Sequence, residues 1–480
     1  MATRKRRTLW IAGGVALVMI ILIVLGLRFG VKSLRPEIEA SASKALGMDV
    51  RIRGGLNVSL LPVFGVSLAD ITATKGGAAV AGMASLKVGL KLLPLIRGRV
   101  EITRLELVKP RVSIVRQKNG TLNIETQGGG SSGTSLTVNK LSVSQGSLSF
   151  ADLPSGQKIE LDGLDLAVRD LHSGGPAGGK PLQALSFTGN LRCRAIKAGN
   201  VTLTDLTVEL AGGQGVFEIS RARVRAFGGT GTGAVRADLT GPEPHFKISY
   251  ALSAFKIQDL LQGSANAKRM EGLADFSADL AATGTTGLEL TQTLGGQASL
   301  TGENILLNGV DIDGLVGSLE RTQNFNLADV GGFLLAGPLG TALSRGANLA
   351  GALAETQGGK GVITRLVSVW KVERGSADAA DVALATKKYR IAVKGKLNFV
   401  SERFENIVVA VLDDRGCATF SQKIRGTFAR PEIDKASTLK SLAGPLANLL
   451  GAGKKLMEPG PCVAFYSGSV ASPVGGKRSN

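Results

Sequence analysis

Leu136-Thr137-Val138-Asn139-Lys140-Leu141-Ser142-Val143 decides the fold class. Apolar and polar residues alternate, a polar pair interrupts them, and the alternation resumes so that both apolar runs keep one face of a sheet. The arrangement returns at Val100-x-Ile102-Thr103-Arg104-Leu105-x-Leu107, at Ile159-x-Leu161-Asp162-Gly163-Leu164-x-Leu166 and at Val201-x-Leu203-Thr204-Asp205-Leu206-x-Val208. The pair Asn308-Gly309 likewise separates Leu307 from Val310. Two geometries produce such a pair. A two-residue hairpin places its flanking residues on one face, with Asp-Gly and Asn-Gly favoured at its centre, whereas a β-bulge shifts the phase of a continuing strand. Either way, one-faced strands follow one another without a strict period. The connections after Leu136 are too short for crossover helices, which predicts antiparallel pairing.

Before that block, Ser33 to Leu46 reads as a short helix with Pro36 in its first turn, Glu37 near its positive end and Gly47 as its stop. Ile38, Ala42, Ala45 and Leu46 form its apolar side. Val50 and Ile52, then Leu56, Val58 and Leu60, then Phe64, Val66 and Leu68 alternate as half-buried strands. Gly128 to Gly133 has the composition of a flexible linker, and Gly174 to Gly179 and Gly228 to Gly233 read as loops. In the last third, Asp311 to Glu320 is expected to be helical and strands resume near Val362. Pro431 ends them. An amphipathic helix over Ser437 to Met457, capping the sheet or lying on a membrane, precedes a final strand over Val463 to Val470. The organisation expected is a tip and anchor (1–32), a helix and strand block (33–127), a linker (128–134), a repetitive β region (135–303) and a mixed C-terminal region (304–480).

Leu9 to Phe29 holds no charge before Arg28, enough at helical rise to cross the roughly 30 Å apolar core of a bilayer. Arg4, Lys5, Arg6 and Arg7 precede it and set the cytoplasmic side, so the bulk of the chain is expected outside. Ala40-Ser41-Ala42 imitates a signal-peptide cleavage site but lies too far downstream, which favours an uncleaved anchor.

Hydrophobic residues make up 44% of the chain and aromatic ones only 4%, so its interior surfaces are aliphatic, a composition that suits flexible acyl chains and that Ala- and Gly-rich genome usage (65 Gly) produces equally well. The net charge of +19 invites a nucleic-acid reading, but the cations alternate with apolar residues along strands and carry no interleaved aromatics. No nucleic-acid partner is expected, and anionic lipid head groups are the functional alternative. His172 and His245, the only histidines, lack metal-ligand spacing and read as surface loop residues. Gly229-x-Gly231-x-Gly233 lacks the strand-turn-helix context of a nucleotide site, and no Gly-x-Ser-x-Gly elbow occurs. The expectation is a protein that is not an enzyme, without catalytic residues, metal or cofactor. Of the three cysteines, Cys193 shares strand parity with Leu185, Phe187 and Leu191 and reads as a small buried hydrophobe. Cys417 and Cys462 lie beyond the anchor, in an oxidising compartment, and beside predicted strands, so a disulfide between them is expected.

Leu34-Arg35-Pro36-Glu37-Ile38-Glu39, Ala45-Leu46-Gly47, Leu60-Leu61-Pro62, Leu68-Ala69-Asp70-Ile71, Leu92-Leu93-Pro94-Leu95-Ile96-Arg97-Gly98 and Gly120-Thr121-Leu122-Asn123-Ile124 together resemble the N-terminal region of the AsmA family. Ile124 departs from the pattern, since the family usually has Trp there. Phe325-Asn326-Leu327, Gly337-Pro338-Leu339-Gly340, Val369-Trp370-Lys371-Val372, Gly416-Cys417-Ala418 and Cys462 to Val470 resemble its C-terminal part. The resemblance implies a mainly β protein, with one N-terminal transmembrane helix followed by an elongated, curled antiparallel β-sheet groove and short helices in the C-terminal third. It also implies a single-pass protein of the cell inner membrane with its bulk in the periplasm, linked to lipid transport and outer-membrane homeostasis. The expected partners are phospholipids or other envelope amphiphiles, the inner membrane and an envelope protein. Leu105, Leu107, Leu141, Val143, Leu164 and Leu166 are the candidate lining of a lipid groove. The alternative is a structural or assembly factor for outer-membrane proteins that carries no lipid.

Overall fold

The computed structural model describes residues 34–59, 64–91, 101–124, 136–173, 182–262, 269–322, 359–434, 437–438 and 462–473. The expected membrane segment, the linker 128–134, the Gly174 to Gly179 stretch and residues 439–457 lie outside them. Among the described residues no helix is long and apolar enough to cross a membrane. The chain forms two compact units, one of residues 1–225 with 236–242, the other of residues 226–235 with 243–480.

The first unit begins with helix α1 (Leu34–Leu46) and strands β1 (Asp49–Ile52), β2 (Leu56–Ser59), β3 (Phe64–Lys75) and β4 (Ala78–Leu90). Gly47 adopts φ 61° and stops the helix as its sequence requires. Ile38 and Ala42 of α1 are buried with Val50, Ile52, Ile71, Ala73 and Val80. The helix also closes the sheet edge, because Val50 and Ile52 of β1 donate their N–H groups to Ser43 Oγ (2.9 Å) and Glu39 Oε1 (2.7 Å). An edge satisfied by side chains cannot template a further strand.

Strands β5 (Ile102–Val108), β6 (Arg111–Arg116), β7 (Leu136–Asp152), β8 (Gln157–Ser173), β9 (Leu185–Ala198) and β10 (Val201–Gly213) extend the sheet. β5 and β6 together fill one position, antiparallel to β4 but parallel to β7. This parallel pairing lies before the stretch from Leu136 for which short connections predicted antiparallel neighbours, and it departs from the wholly antiparallel sheet expected for the chain. From β7 to β10 every neighbour is antiparallel. The polar pairs are not hairpins. Asp162-Gly163 and Thr204-Asp205 lie inside β8 and β10, with Gly163 at φ 64° and Asp205 at φ 53°, and the β4–β5 register shifts at Thr103. These are bulges, which keep the apolar residues before and after them on one face of a long strand.

Strands β11 (Val216–Ala226) and β12 (Gly229–Asp238) are divided between the units. Gly229 to Gly233, expected as a loop, lies in β12: a Cβ at Gly229 would stand 2.5 Å from Ser253 O and one at Gly233 2.6 Å from Ser249 O, so the neighbouring backbone requires both glycines.

In the second unit, β13 (His245–Lys256), helix α2 (Ile257–Leu260), β14 (Met270–Thr283), helix α3 (Gly287–Thr293), β15 (Gly295–Asn308), helix α4 (Ile312–Thr322), β16 (Lys360–Glu373), β17 (Ser376–Ala385), β18 (Arg390–Asn398), β19 (Arg403–Leu412) and β20 (Ala418–Gly426) follow one another. The strands pair antiparallel in chain order. Asp311 precedes α4 as expected, and Ile312 and Val316 are buried. The chain does not leave the sheet at Pro431, since β21 (Pro431–Ile433) and β22 (Ser437–Thr438) pair with β20. The helix expected from Ser437 therefore does not begin there. Residues 463–470, expected as a strand, form an irregular segment in which the N–H groups of Phe465 and Tyr466 donate to Gly416 O at 2.8 and 3.1 Å.

Candidate functional site

Residues directly opposite in a sheet share a face, and the registers of the first unit line its aliphatic residues up in rows. Leu68, Leu86, Leu107, Val143, Leu166, Leu191 and Val208 form one row across β3 to β10. Val66, Val88, Leu105, Leu141, Val168, Gly189 and Leu210 form the next. Leu164 pairs with Cys193, and Cys193 with Leu206, on the same face. All six residues expected to line a groove thus stand on one surface. Leu105, Leu107 and Leu141 pack against the edge of the core beneath α1, whereas Val143, Leu164 and Leu166 lie beyond it.

Burial falls along each row. Leu68 and Leu86 are buried, as are Val66 and Val88, but from β5 onward the aliphatic residues of these rows are half-buried, Val168 excepted. Among the described residues β7 to β10 have their main contacts with sheet neighbours, and no helix packs on them. At about 4.8 Å between strands, the uncovered part of a row from β5 to β10 measures roughly 20 Å. Glycine fits where two aromatic rings approach the backbone. A Cβ at Gly212 would stand 2.7 Å from the ring of Phe187 and 2.8 Å from that of Phe217.

Cys193 is a buried free thiol at 1% exposure, within reach of Asp162 O (3.4 Å) and Ala195 O (3.3 Å), in keeping with a small hydrophobe. The opposite face is charged. The Arg194 guanidinium holds the Asp162 carboxyl below its ordinary range, and Lys158 does the same for Glu160. A concavity of about 670 Å³ is lined by Lys140, Asp165, Asn190 and Arg192 together with Val143, Leu166, Leu191 and Val208, and one of about 310 Å³ by Arg169, Thr188 and Asn190. His172 and His245 are exposed, but on strands β8 and β13 rather than in loops. His172 Nδ1 lies 2.8 Å from Asp170 O, and His245 Nδ1 lies 2.8 Å from Thr283 Oγ1.

The structure joins Cys417 to Cys462 by a disulfide with Cα atoms 6.1 Å apart. It ties residues 462–473 onto the second sheet. There Tyr466 and Val470 pack against Val367, Ala383, Ala385, Ala392, Ala410 and Leu412. Tyr466 donates to Asp381 Oδ1 (2.5 Å), and Arg390 donates to Val470 O (3.1 Å) and Asp413 O (3.0 Å). Burial, reinforced by that hydrogen bond to Asp381, pushes the Tyr466 hydroxyl up to about 12. This network is invisible in sequence, because its bonded pairs Tyr466–Asp381 and Arg390–Val470 stand 85 and 80 residues apart.

Neither curated proteins nor solved structures give a match to this chain. The sequence model of the AsmA family matches residues 1–192 and 185–324, and the C-terminal resemblances from Phe325 onward lie past those residues. The match covers more than half of the chain, which therefore belongs to the AsmA family.

Proposed function

We propose that the chain is an anchored envelope protein that binds the acyl chains of phospholipids or other amphiphiles on the aliphatic face of β5 to β10 and lets them move along it without chemistry. The observation that carries this reading is the pair of half-buried aliphatic rows, in which Leu107, Val143, Leu166, Leu191 and Val208 stand side by side over successive strands. Burial of each methylene is worth about 0.8 kcal/mol, so an acyl chain laid across such a row gains from many weak contacts and no single strong one. That suits passage rather than capture. The family, the charge-free Leu9 to Leu27 stretch and the Cys417–Cys462 disulfide support an inner-membrane anchor with the bulk of the chain in the periplasm.

The test is mass spectrometry of lipid that co-purifies with the full chain. Stoichiometric phospholipid that is lost from Leu166→Asp, with the fold retained, is the expected result. Lipid-free protein that still engages outer-membrane proteins would turn the reading to an assembly factor.

A further inference from the structure

On the hydrophilic face of the first unit, Gly65, Gly89, Arg104, Lys140, Arg169 and Thr188 stand side by side on β3, β4, β5, β7, β8 and β9. Three of these six neighbours are cations in direct cross-strand register. Like charges directly opposite destabilise a sheet, so this row weakens the fold it belongs to. The acids beside it are Glu106, which already bridges Arg104 (3.3 Å) and Lys87 (3.8 Å), and Asp170 in the bulge next to Arg169. Lys140 and Arg169 make no ion pair among the described residues, and all three cations are exposed. Gly65 and Gly89 carry no side chain, leaving one flank of the row open.

The row lies near one end of the sheet, where β3 begins at Phe64, β4 ends at Leu90, β5 begins at Ile102 and β8 ends at Ser173. Helix α1 identifies that end. It runs antiparallel to β1, with Glu39 at Ile52, Ser43 at Val50 and Arg35 donating to Gly54 O (2.6 Å), so its first residue points to the end that carries the cations. The expected membrane segment stops only a few residues before Leu34.

We infer that the row Arg104–Lys140–Arg169 docks the membrane-proximal end of the first sheet on the phosphate head groups of an anionic bilayer, the one the N-terminal anchor enters. The inference rests on that anchor and deepens the proposed function. It sets Leu105, Leu141 and Val168, one residue along each strand, where acyl chains first meet the aliphatic face. Each exposed cation near an anionic surface changes its population there about fivefold at low salt, so neutralising three changes it about a hundredfold. Because the cations are exposed, the attraction fades as the Debye length shrinks from about 10 Å at 0.1 M salt to 3 Å at 1 M.

The test uses the full chain reconstituted in vesicles, with a fluorophore on Ser173→Cys read by quenchers on the lipid head groups. Strong quenching is expected in phosphatidylcholine with three-tenths phosphatidylglycerol, and little in phosphatidylcholine alone or in 1 M salt. The triple variant R104Q/K140Q/R169Q should lower the docked-to-free ratio about a hundredfold. R104K/K140R/R169K should retain docking, and K247Q/K371Q/K387Q, which removes the same charge from the second unit, should leave it unchanged. Equal quenching in the two neutral triples would overturn the proposal, as would relief of quenching by millimolar inorganic phosphate at constant ionic strength. Co-purified lipid, measured on the same variants, separates this failure from failure of lipid binding, since R104Q/K140Q/R169Q leaves the aliphatic face intact. Thermal unfolding guards against misfolding, because relieving the repulsion should leave the triple variant no less stable than the parent.

Discussion

The two units use the same element, an antiparallel strand with aliphatic residues, to opposite ends. In the first, β7 to β10 alternate mostly half-buried aliphatic with exposed polar residues, only Val138, Val168 and Cys193 among their apolar residues being buried. In the second, Val382 to Ala385, Arg390 to Val393 and Val409 to Leu412 are buried without interruption. Continuous burial means that both faces are covered. One is covered by the disulfide-tied segment, which rests on small residues in register, Ala383 opposite Ala392 and Ala392 opposite Ala410. The difference teaches that an apolar strand face is a core only where something is built to lie on it. The second unit supplies its own cover, whereas among the described residues most of the first unit's aliphatic face from β5 onward is only half-buried, Ile102, Val138, Val168 and Cys193 excepted.

The sharpest way to break this comparison is a carboxylate on each face. Leu384→Asp buries a charge at a site with 0% exposure and no partner, and should destabilise the second unit by several kcal/mol, about 4 or more. Leu166→Asp, on the half-buried face, should cost less than about 1.5 kcal/mol while abolishing lipid co-purification. Guanidinium unfolding followed by Trp370 fluorescence reads the second unit selectively, since Trp370 is buried on β16 and the only other tryptophan is Trp10. Circular dichroism reads the whole chain. Equal, large losses at the two sites would mean that the first face is a closed core.

The cover itself can be removed. The Cys417–Cys462 bridge closes a separation of 45 residues, and loop entropy assigns such a closure about 4 kcal/mol. The double variant Cys417→Ala/Cys462→Ala should lower the Trp370 transition by up to that amount and make residues 462–473 accessible to protease. Overfilling the bed tests the same contact more gently. Ala392→Leu should cost about 1 to 3 kcal/mol by displacing the segment. If Ala392→Leu is neutral, the alanines are not there to make room.

The sequence showed the strands and their one-sidedness because alternation at period two is local. It left hairpin and bulge undecided at pairs such as Asp162-Gly163, since both keep the flanking residues on one face and only the pairing partner distinguishes them. The six groove candidates came from strands that carry a polar pair. Leu191 and Cys193 alternate on β9 without such a pair, and only the cross-strand register with Leu166 and Leu164 sets them on the same face. The C-terminal segment misled for the opposite reason. Val463 and Phe465 alternate like a strand, yet Val463 is 91% exposed and the segment is fixed by Asp381 and Arg390, which no local pattern connects to it.

The smallest effect sharpens the comparison through protons. Tyr466 lies between Asp381 and Arg390, donating its hydroxyl hydrogen to the carboxylate and accepting from Val470 N–H at 3.0 Å. Burial disfavours the phenolate, and ionisation would also set two negative oxygens against each other, so the folded value rises to about 12, from 10 in the open chain. A tyrosine with a raised value holds in the native state a proton that the unfolded state has already lost. Its contribution to stability is therefore complete below pH 10 and is lost as pH rises from 10 to 12. Tyr466→Phe deletes the group, leaves Asp381 with Ser469 N–H as partner, and should cost about 1 kcal/mol at neutral pH. The gap between parent and variant in the Trp370 transition should then narrow from pH 10 to 12. The first unit, which has no tyrosine, should show no corresponding change. A gap that stayed constant across that interval would mean that Tyr466 ionises as freely as a tyrosine in water and that the segment over it is not a closed cover.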